Sequence, residues 1–307
     1  MIISYISAVY NKADDLLQTL NHVRNQDNID PAAVEFILAD DCSSDSSLAI
    51  LKAEAARDPR LTIIENDQNA GPAIRFNQAA RRAKGRFLLP FDADDLVPAN
   101  ASAVLLKTAA AFKTELVFGK SRRSTACPRI CEPVRVTASA DPLAFTARRK
   151  VVRMGFLASS SLWERAGGCD EGVFIQDQSL PLRLAAKAGS LAFIEDYIYH
   201  LRETGANNLS RNILQQHHDR LLALAGVVRQ PGLSRKAQRA LIRQAVSTVW
   251  KIRRDGGHPL PHLSAEFARY LVNRLSLDAP SYQWLEREIE KLALLPGIRR
   301  YPFTQEA

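Results

Sequence analysis

The chain has 307 residues, 46% hydrophobic and 24% charged, with 41 Lys and Arg against 33 Asp and Glu for a net charge of +8. This balance excludes a disordered or low-complexity chain, and the length suits one large α/β domain with an appendage or two small domains. No apolar run reaches ~18 residues, so no spanning helix is expected.

The opening stretch, Met1 to Lys12, lacks the basic region of a leader peptide, and the expected location is the cytoplasm. Four cysteines, Cys42, Cys127, Cys131 and Cys169, show no paired zinc spacing, which points to reduced thiols. The charge is unevenly divided. Residues 206–307 carry 16 Lys and Arg against 8 Asp and Glu, leaving 25 of each for residues 1–205.

In chain order, residues 2–9 read as an apolar strand, followed after Tyr10 and Asn11 by a helix to about Asn25. Val34 to Ala39 is a second strand, ending in Asp40-Asp41-Cys42-Ser43-Ser44-Asp45 ahead of a helix to Arg57. A short strand over Leu61–Glu65, a turn at Asn69–Pro72 and a helix over Ala73–Ala83 lead to the apolar run Phe87, Leu88, Leu89, Phe91. Strands alternating with helices imply a mostly parallel sheet. The fourth strand ends in three carboxylates, Asp92, Asp94 and Asp95. Ligands of open α/β sheets lie outside the carboxyl ends of strands, so this acidic stretch suits a divalent cation that in turn holds phosphates. A solvated acidic turn is the other reading of the same residues. Neither a G-x-G-x-x-G nor a P-loop is present.

Taken together, these motifs resemble the nucleotide-sugar half of family 2 glycosyltransferases. They are Val9-Tyr10-Asn11, Asp40-Asp41-x-Ser43-x-Asp45-Ser46, Asn69-x-Gly71 ahead of Arg75-Phe76-Asn77, and Ala83-Lys84-Gly85-Arg86-Phe87 leading to Asp92-Ala93-Asp94-Asp95. The resemblance covers about the first hundred residues. It implies a GT-A fold, a nucleoside-diphosphate sugar donor, a Mn²⁺ or Mg²⁺ ion and inverting transfer. By position it implies that Tyr10 stacks on the base, with Asn11 beside it, and that Asp41, with Asp40 and Arg75 nearby, holds the base's ring nitrogen. Asp92 and Asp94 would serve the ribose and metal, and Asp94 and Asp95 the metal. Ala8 departs from the Pro or Thr of many members at the edge of the base pocket.

Leu116 to Gly119 can add a strand, and residues 120–153, rich in Arg with some Pro and Ser, read as a long excursion whose cations could meet an anionic acceptor. Phe156 to Trp163 reads as strand-like. The following Gly167-Gly168-Cys169-Asp170-Glu171 and Gln176-Asp177 resemble the family's Gly-Gly-Phe-Asp-Glu and Glu-Asp, with Cys169 for Phe and Gln176 for Glu. Read alone, Asp177 is an N-cap for a helix over Gln178–Lys187. Through the resemblance it is the catalytic base. After a strand over Leu191–Tyr199, the resemblance offers His200 as a third metal ligand and Arg202 or Arg211 as phosphate partners.

From Asn212 helices dominate, at about 212–229, 234–254, 262–276 and 281–294, with an apolar stripe of Leu241, Ala245, Val249 and Ile252 in the second. From Arg211 to Arg254 there are ten Lys and Arg and one acid, Asp219. Such a basic amphipathic surface is either the solvated face of an appendage or a peripheral contact with anionic lipid at the inner face of the membrane. Aromatics are not interleaved with the cations, so nucleic acid is not an expected partner.

The expectation is therefore a GT-A-like mostly parallel α/β sheet flanked by helices over residues 1–205, divided into a nucleotide-sugar half to 119 and an acceptor half to 205. A basic helical C-terminal region, 206–307, follows. The expected function is metal-dependent inverting transfer from a UDP-linked or similar sugar to a saccharide or glycolipid acceptor in surface polysaccharide assembly. A non-catalytic nucleotide-sugar-binding or scaffold protein and a metal-dependent nucleotidyltransferase are the alternatives.

Overall fold

Strands β1 (Ile3–Val9), β2 (Val34–Asp40), β3 (Leu61–Ile64) and β4 (Phe87–Pro90) lie side by side in the order β3-β2-β1-β4, every pair parallel. Each of β1, β2 and β3 is followed by a helix: α1 (Ala13–Arg24), α2 (Ser47–Ala55) and α3 (Pro72–Arg82). β2 and β4 are buried along their whole length, as strands covered on both faces must be, which is why they read as continuous apolar runs. Tyr5 and Phe36 stack across β1 and β2 with ring centroids 5.0 Å apart.

The molecule is a computed structural model that describes residues 1–202, 212–257, 259–275, 282–292 and 298. It extends the parallel half with α4 (Ala101–Ala111), β5 (Leu116–Arg123), β6 (Val136–Ser139), α5 (Pro142–Arg149), β7 (Leu157–Ser159), α6 (Ser160–Ala166), α7 (Gln176–Lys187) and β8 (Leu191–Leu201). The sheet has eight strands in the order β3-β2-β1-β4-β7-β5-β8-β6. β7 runs antiparallel between β4 and β5, β8 runs parallel to β5, and β6 closes the edge antiparallel to β8. A mostly parallel sheet flanked by helices is as expected.

Three local readings are corrected. Residues 120–153 are not a long structureless excursion: β5 continues to Arg123, β6 pairs with β8, and Asp141 caps α5 by accepting the Ala144 N–H at 3.1 Å. The run from Phe156 to Trp163 is a three-residue strand, because the Ser159 hydroxyl accepts the Leu162 N–H at 3.1 Å and starts α6. Asp177 is not an N-cap; it lies within the first turn of α7, which begins one residue earlier.

The described chain divides into two compact units, made of alternating segments. The first contains residues 1–140, 153–169 and 187–202, and with them the whole sheet. The second contains 141–152, 170–186 and the helices from Asn212 onward, α8 (Ile213–Val228), α9 (Arg235–Asp255), α10 (Ala265–Arg274) and α11 (Tyr282–Leu292). Its core joins Leu143 and Ala147 of α5, Leu182 of α7, Leu221 and Leu224 of α8, Leu285 of α11 and the expected stripe of Leu241, Ala245, Val249 and Ile252 on α9. Lys236, Arg239, Arg243 and Arg254 of α9 are exposed. Among the described residues no helix is long and apolar enough to cross a membrane.

Candidate functional site

β1 lies between β2 and β4, with Val9 level with Asp40 and Ile6 level with Pro90. The segment Tyr10–Lys12 therefore emerges between two acidic loops, Asp40–Asp45 after β2 and Asp92–Asp95 after β4. Their side chains are tied together. Asn11, at φ 52°, accepts the Ser44 N–H at 2.8 Å, and its own N–H reaches Ser43 Oγ at 3.1 Å. Ser47 Oγ accepts the Lys12 N–H at 2.8 Å, and Asp45 accepts the Ala13 N–H at 3.1 Å, so the loop after β2 satisfies the open amides at the start of α1. Tyr10 is left 46% exposed, and Ala8 is half-buried two residues before it.

Asp41 is 3% exposed and accepts three hydrogen bonds, from Ala70 N–H and Gly71 N–H at 2.8 Å each and from Arg75 Nε at 2.6 Å. A carboxylate offers about four acceptor positions, so one is left. Arg75 is buried with it and reaches Asn66 at 2.8 Å and the Gln68 carbonyl. Asp40 accepts the Ser43 N–H through Oδ2 at 3.0 Å, while its Oδ1 is buried without a partner.

The acidic turn after β4 is held by the end of β8. Leu96 and His200 exchange two backbone hydrogen bonds of 2.9 Å, and the Arg202 N–H donates to Asp95 at 3.0 Å. The Tyr199 hydroxyl accepts the Asp92 N–H at 2.8 Å and donates to the Asp95 carboxylate. Burial, then the neighbouring Asp94, push the Asp95 carboxyl up to about 7. Burial and the surrounding carboxylates likewise hold the Tyr199 phenol well above its usual range. The ammonium of Lys12 pairs with Asp94. Burial alone would lower that ammonium, but Asp94, Asp92 and Asp95 more than offset it, and the net shift is upward.

Tyr199 and Lys12 are site residues that sequence reading missed. A signal for the first existed: a buried tyrosine hydroxyl needs a partner, and Tyr199 stands at the end of an apolar strand. Gly155 makes room for it. At φ +75°, a Cβ there would sit 2.0 Å from the Tyr199 ring.

The other expected residues are placed as follows. The His200 ring lies beside Arg122, whose Nε is 3.4 Å from Nδ1, and its Nε2 is buried without a partner. Burial, then Arg122 and His22, hold the imidazole down at about 4, so it is neutral. The Arg202 guanidinium donates to Asp15 of α1 at 2.5 Å. Arg211 lies outside the described residues. Among the described residues, no three His, Cys, Asp or Glu side chains converge as the ligand set of a metal ion. Asp177 belongs to the second unit, half-buried on α7, with Gln178 Nε2 at 3.3 Å.

The Gly-Gly-Cys stretch has a structural task in the first unit. Asn77 of α3 donates to the Cys169 carbonyl at 3.0 Å and accepts the Cys169 N–H at 2.8 Å. Gly168, at φ +61°, allows the approach: a Cβ there would meet Asn77 Oδ1 at 2.3 Å.

Comparison with known proteins agrees with this geometry. The fold is shared with S. aureus TarS in complex with UDP-GlcNAc (TM-score 0.72, 16% identity, 95% of this chain and 89% of that one). It is also shared with the mannosyltransferase PcManGT from Pyrobaculum calidifontis in complex with GDP-Man and Mn²⁺ (TM-score 0.60, 18% identity, 95% and 84%). Succinoglycan biosynthesis protein ExoO of Rhizobium meliloti (strain 1021) is 25% identical over 242 residues, 72% of this chain and 66% of ExoO. The sequence model of the family Glycosyl transferase family 2 matches residues 4–160, which take in β1 to β7 and both acidic loops. With half of its length matched and its sheet of the GT-A type, this chain belongs to glycosyl transferase family 2.

Proposed function

We propose that the protein transfers a sugar, with inversion, from a nucleoside-diphosphate sugar, UDP-linked, to a saccharide or glycolipid acceptor in polysaccharide assembly. The observation that carries this reading is the meeting of Tyr10–Lys12 with the Asp40–Asp45 and Asp92–Asp95 loops at the carboxyl ends of β1, β2 and β4. There Tyr10 offers an exposed ring for the base, beside Ala8 and Asn11. Asp41, braced by Arg75 and with Asp40 adjacent, has one acceptor position left for a base N–H. Asp92 serves the ribose. The name of ExoO, a succinoglycan biosynthesis protein, supports the polysaccharide setting.

Asp94 and Asp95 are suited to hold Mn²⁺ or Mg²⁺. The donors are hard carboxylate oxygens, and burial first, then the neighbouring Asp94, raise the Asp95 carboxyl. Such ions are commonly held by one or two carboxylates, with substrate phosphates and water completing the shell, so a three-residue cage is not required. When bound, the ion neutralises the diphosphate that leaves. The protein's own residues position the rest: Tyr199 and Arg202 N–H fix Asp95, and Lys12 brings a further positive charge. His200 offers the ion a further ligand, and Arg202 lies at the same strand end to meet the phosphates. Removing the proton from the acceptor hydroxyl falls to Asp177, the position that matches the family's base. The exposed cations of α9 suit a peripheral contact with anionic lipid.

Thermal unfolding against a panel of nucleoside diphosphates, with Mn²⁺, Mg²⁺ or EDTA, tests the donor half of this reading. A ligand at a hundred times its dissociation constant adds ~2.7 kcal/mol of stability. Metal-dependent stabilisation by UDP that Asp94→Ala abolishes is the expected result. Stabilisation by no nucleotide under any condition would reject the reading.

A further inference from the structure

We propose that Asp219 and Arg220, consecutive residues of α8, are positioning residues for Asp177, so that the helical C-terminal region forms the support of the general base. This inference rests on the reading of Asp177 as that base. The residues on either side of Asp177 are gripped from α8 within the second unit. Asp219, 1% exposed, accepts the Ile175 N–H through Oδ2 at 2.8 Å, two residues before Asp177. Its Oδ1 is held in turn by Gln215 Nε2 at 2.8 Å and lies 2.8 Å from His218 Nδ1. Arg220 donates through Nη1 to the Gln178 carbonyl at 2.9 Å, one residue after Asp177.

Arg220 is itself braced. Its Nε and Nη2 both donate to Gln244 Oε1 of α9, at 3.2 and 2.6 Å, and Gln244 Nε2 donates to the Ala147 carbonyl of α5. Burial lowers the guanidinium to about 10, while the charge of Asp177 pulls the other way. A carboxylate that must meet a substrate hydroxyl works only when held to about half an ångström, and a displacement near 1 Å can lower the rate ~100-fold. Burying a guanidinium requires partners arranged for it, and Arg220 has three hydrogen bonds of this kind. Here two of its three nitrogens hold α9 and the third holds α7, which makes Arg220 the link between the α9 brace and the turn that carries Asp177.

The experiment measures UDP release from UDP-glucose, UDP-galactose and UDP-N-acetylglucosamine with p-nitrophenyl glycosides as acceptors. Full-length wild type is compared with D177N, D219N, R220Q, R220K and Q244A. Expected are loss of turnover in D177N and a fall in kcat of tenfold or more in D219N and R220Q, with donor KM within twofold of wild type. R220K should recover part of the loss. Full turnover in D177N, or none in wild type with any donor, overturns the base reading and the inference with it. Turnover lost in D177N but unchanged in folded D219N and R220Q overturns the inference alone. Should those two variants fail to melt cooperatively, Q244A decides, because it keeps both charges: an unchanged kcat there overturns the proposal.

Discussion

The ammonium of Lys12 is paired with the carboxylate of Asp94, inside a turn that also holds Asp92 and Asp95. A divalent cation that takes Asp94 as a ligand must compete with that ammonium. Lys12→Met is therefore expected to tighten Mn²⁺ binding to the nucleotide-free protein by about tenfold, roughly 1.4 kcal/mol, measured by electron paramagnetic resonance of free Mn²⁺. Unchanged or weaker binding would show that Asp94 is not among the ligands.

The Tyr199 hydroxyl bridges the Asp92 backbone and the Asp95 carboxylate, both on the acidic turn. Tyr199→Phe leaves those two groups without this partner, and an expected cost of about 1–3 kcal/mol follows from such unpaired buried polar groups. Gly155→Ala is expected to cost more than Tyr199→Phe, since it places a methyl against the Tyr199 ring in a left-handed backbone conformation. Urea denaturation of both variants checks the order.

Asn77 and the Cys169 peptide exchange two hydrogen bonds, joining α3 to the chain that follows α6. Asn77→Ala removes both in a buried setting, and a destabilisation of about 2–4 kcal/mol is expected. An effect below 0.5 kcal/mol in denaturant unfolding would mean the loop is satisfied without the bridge.

Acid stability should report a second charged cluster in the first unit, made by Arg24, Glu54, Asp58 and Arg60. Hydrogen bonding from Arg24 holds the Glu54 carboxyl below its usual value, and hydrogen bonding from Arg60 does the same for Asp58, which Arg24 also attracts. Because the folded values lie below the unfolded ones, the stabilisation is fully present above the unfolded carboxylate range. It is lost as pH falls through the folded values. The melting temperatures of wild type and Arg24→Met should differ most at neutral pH and converge as the pH drops below about 4. A gap that is constant with pH would place the effect of Arg24 in packing instead.

The parallel half of the sheet was legible because buried strands announce themselves as short apolar runs, and the site because Asp clusters recur at two of their carboxyl ends. What was not legible depends on pairing at a distance. Arg122 and Arg123 read as loop, yet they lie in β5 opposite His200 and Leu201. β6 is a four-residue strand fixed only by its antiparallel register with β8. α4 follows Asn100, a cap-type residue whose side chain does not cap the helix but bonds both backbone groups of Ile130 at 2.9 Å. The Asp141-Pro142 start of α5 was readable in principle, as a capping acid followed by proline at the first helical position. The anchoring of Asp177's turn by Asp219 and Arg220 could not be read, because 40 or so residues separate the partners.

The sheet order bears on how the protein is made. β5 and β6 leave the ribosome before either β7 or β8, and these later strands are their neighbours, so a nascent chain of about 150 residues can close only the parallel half. Until β7 arrives, that half presents β4 as an open edge. The second unit waits longer, since Leu143 and Leu182 share a core with α8, α9 and α11, all synthesised after the last strand of the sheet. Translation arrest before residue 201 therefore releases a chain in which both units are unfinished, with an open strand edge to attract chaperones, whereas arrest between there and residue 255 leaves the second unit with bare apolar helices.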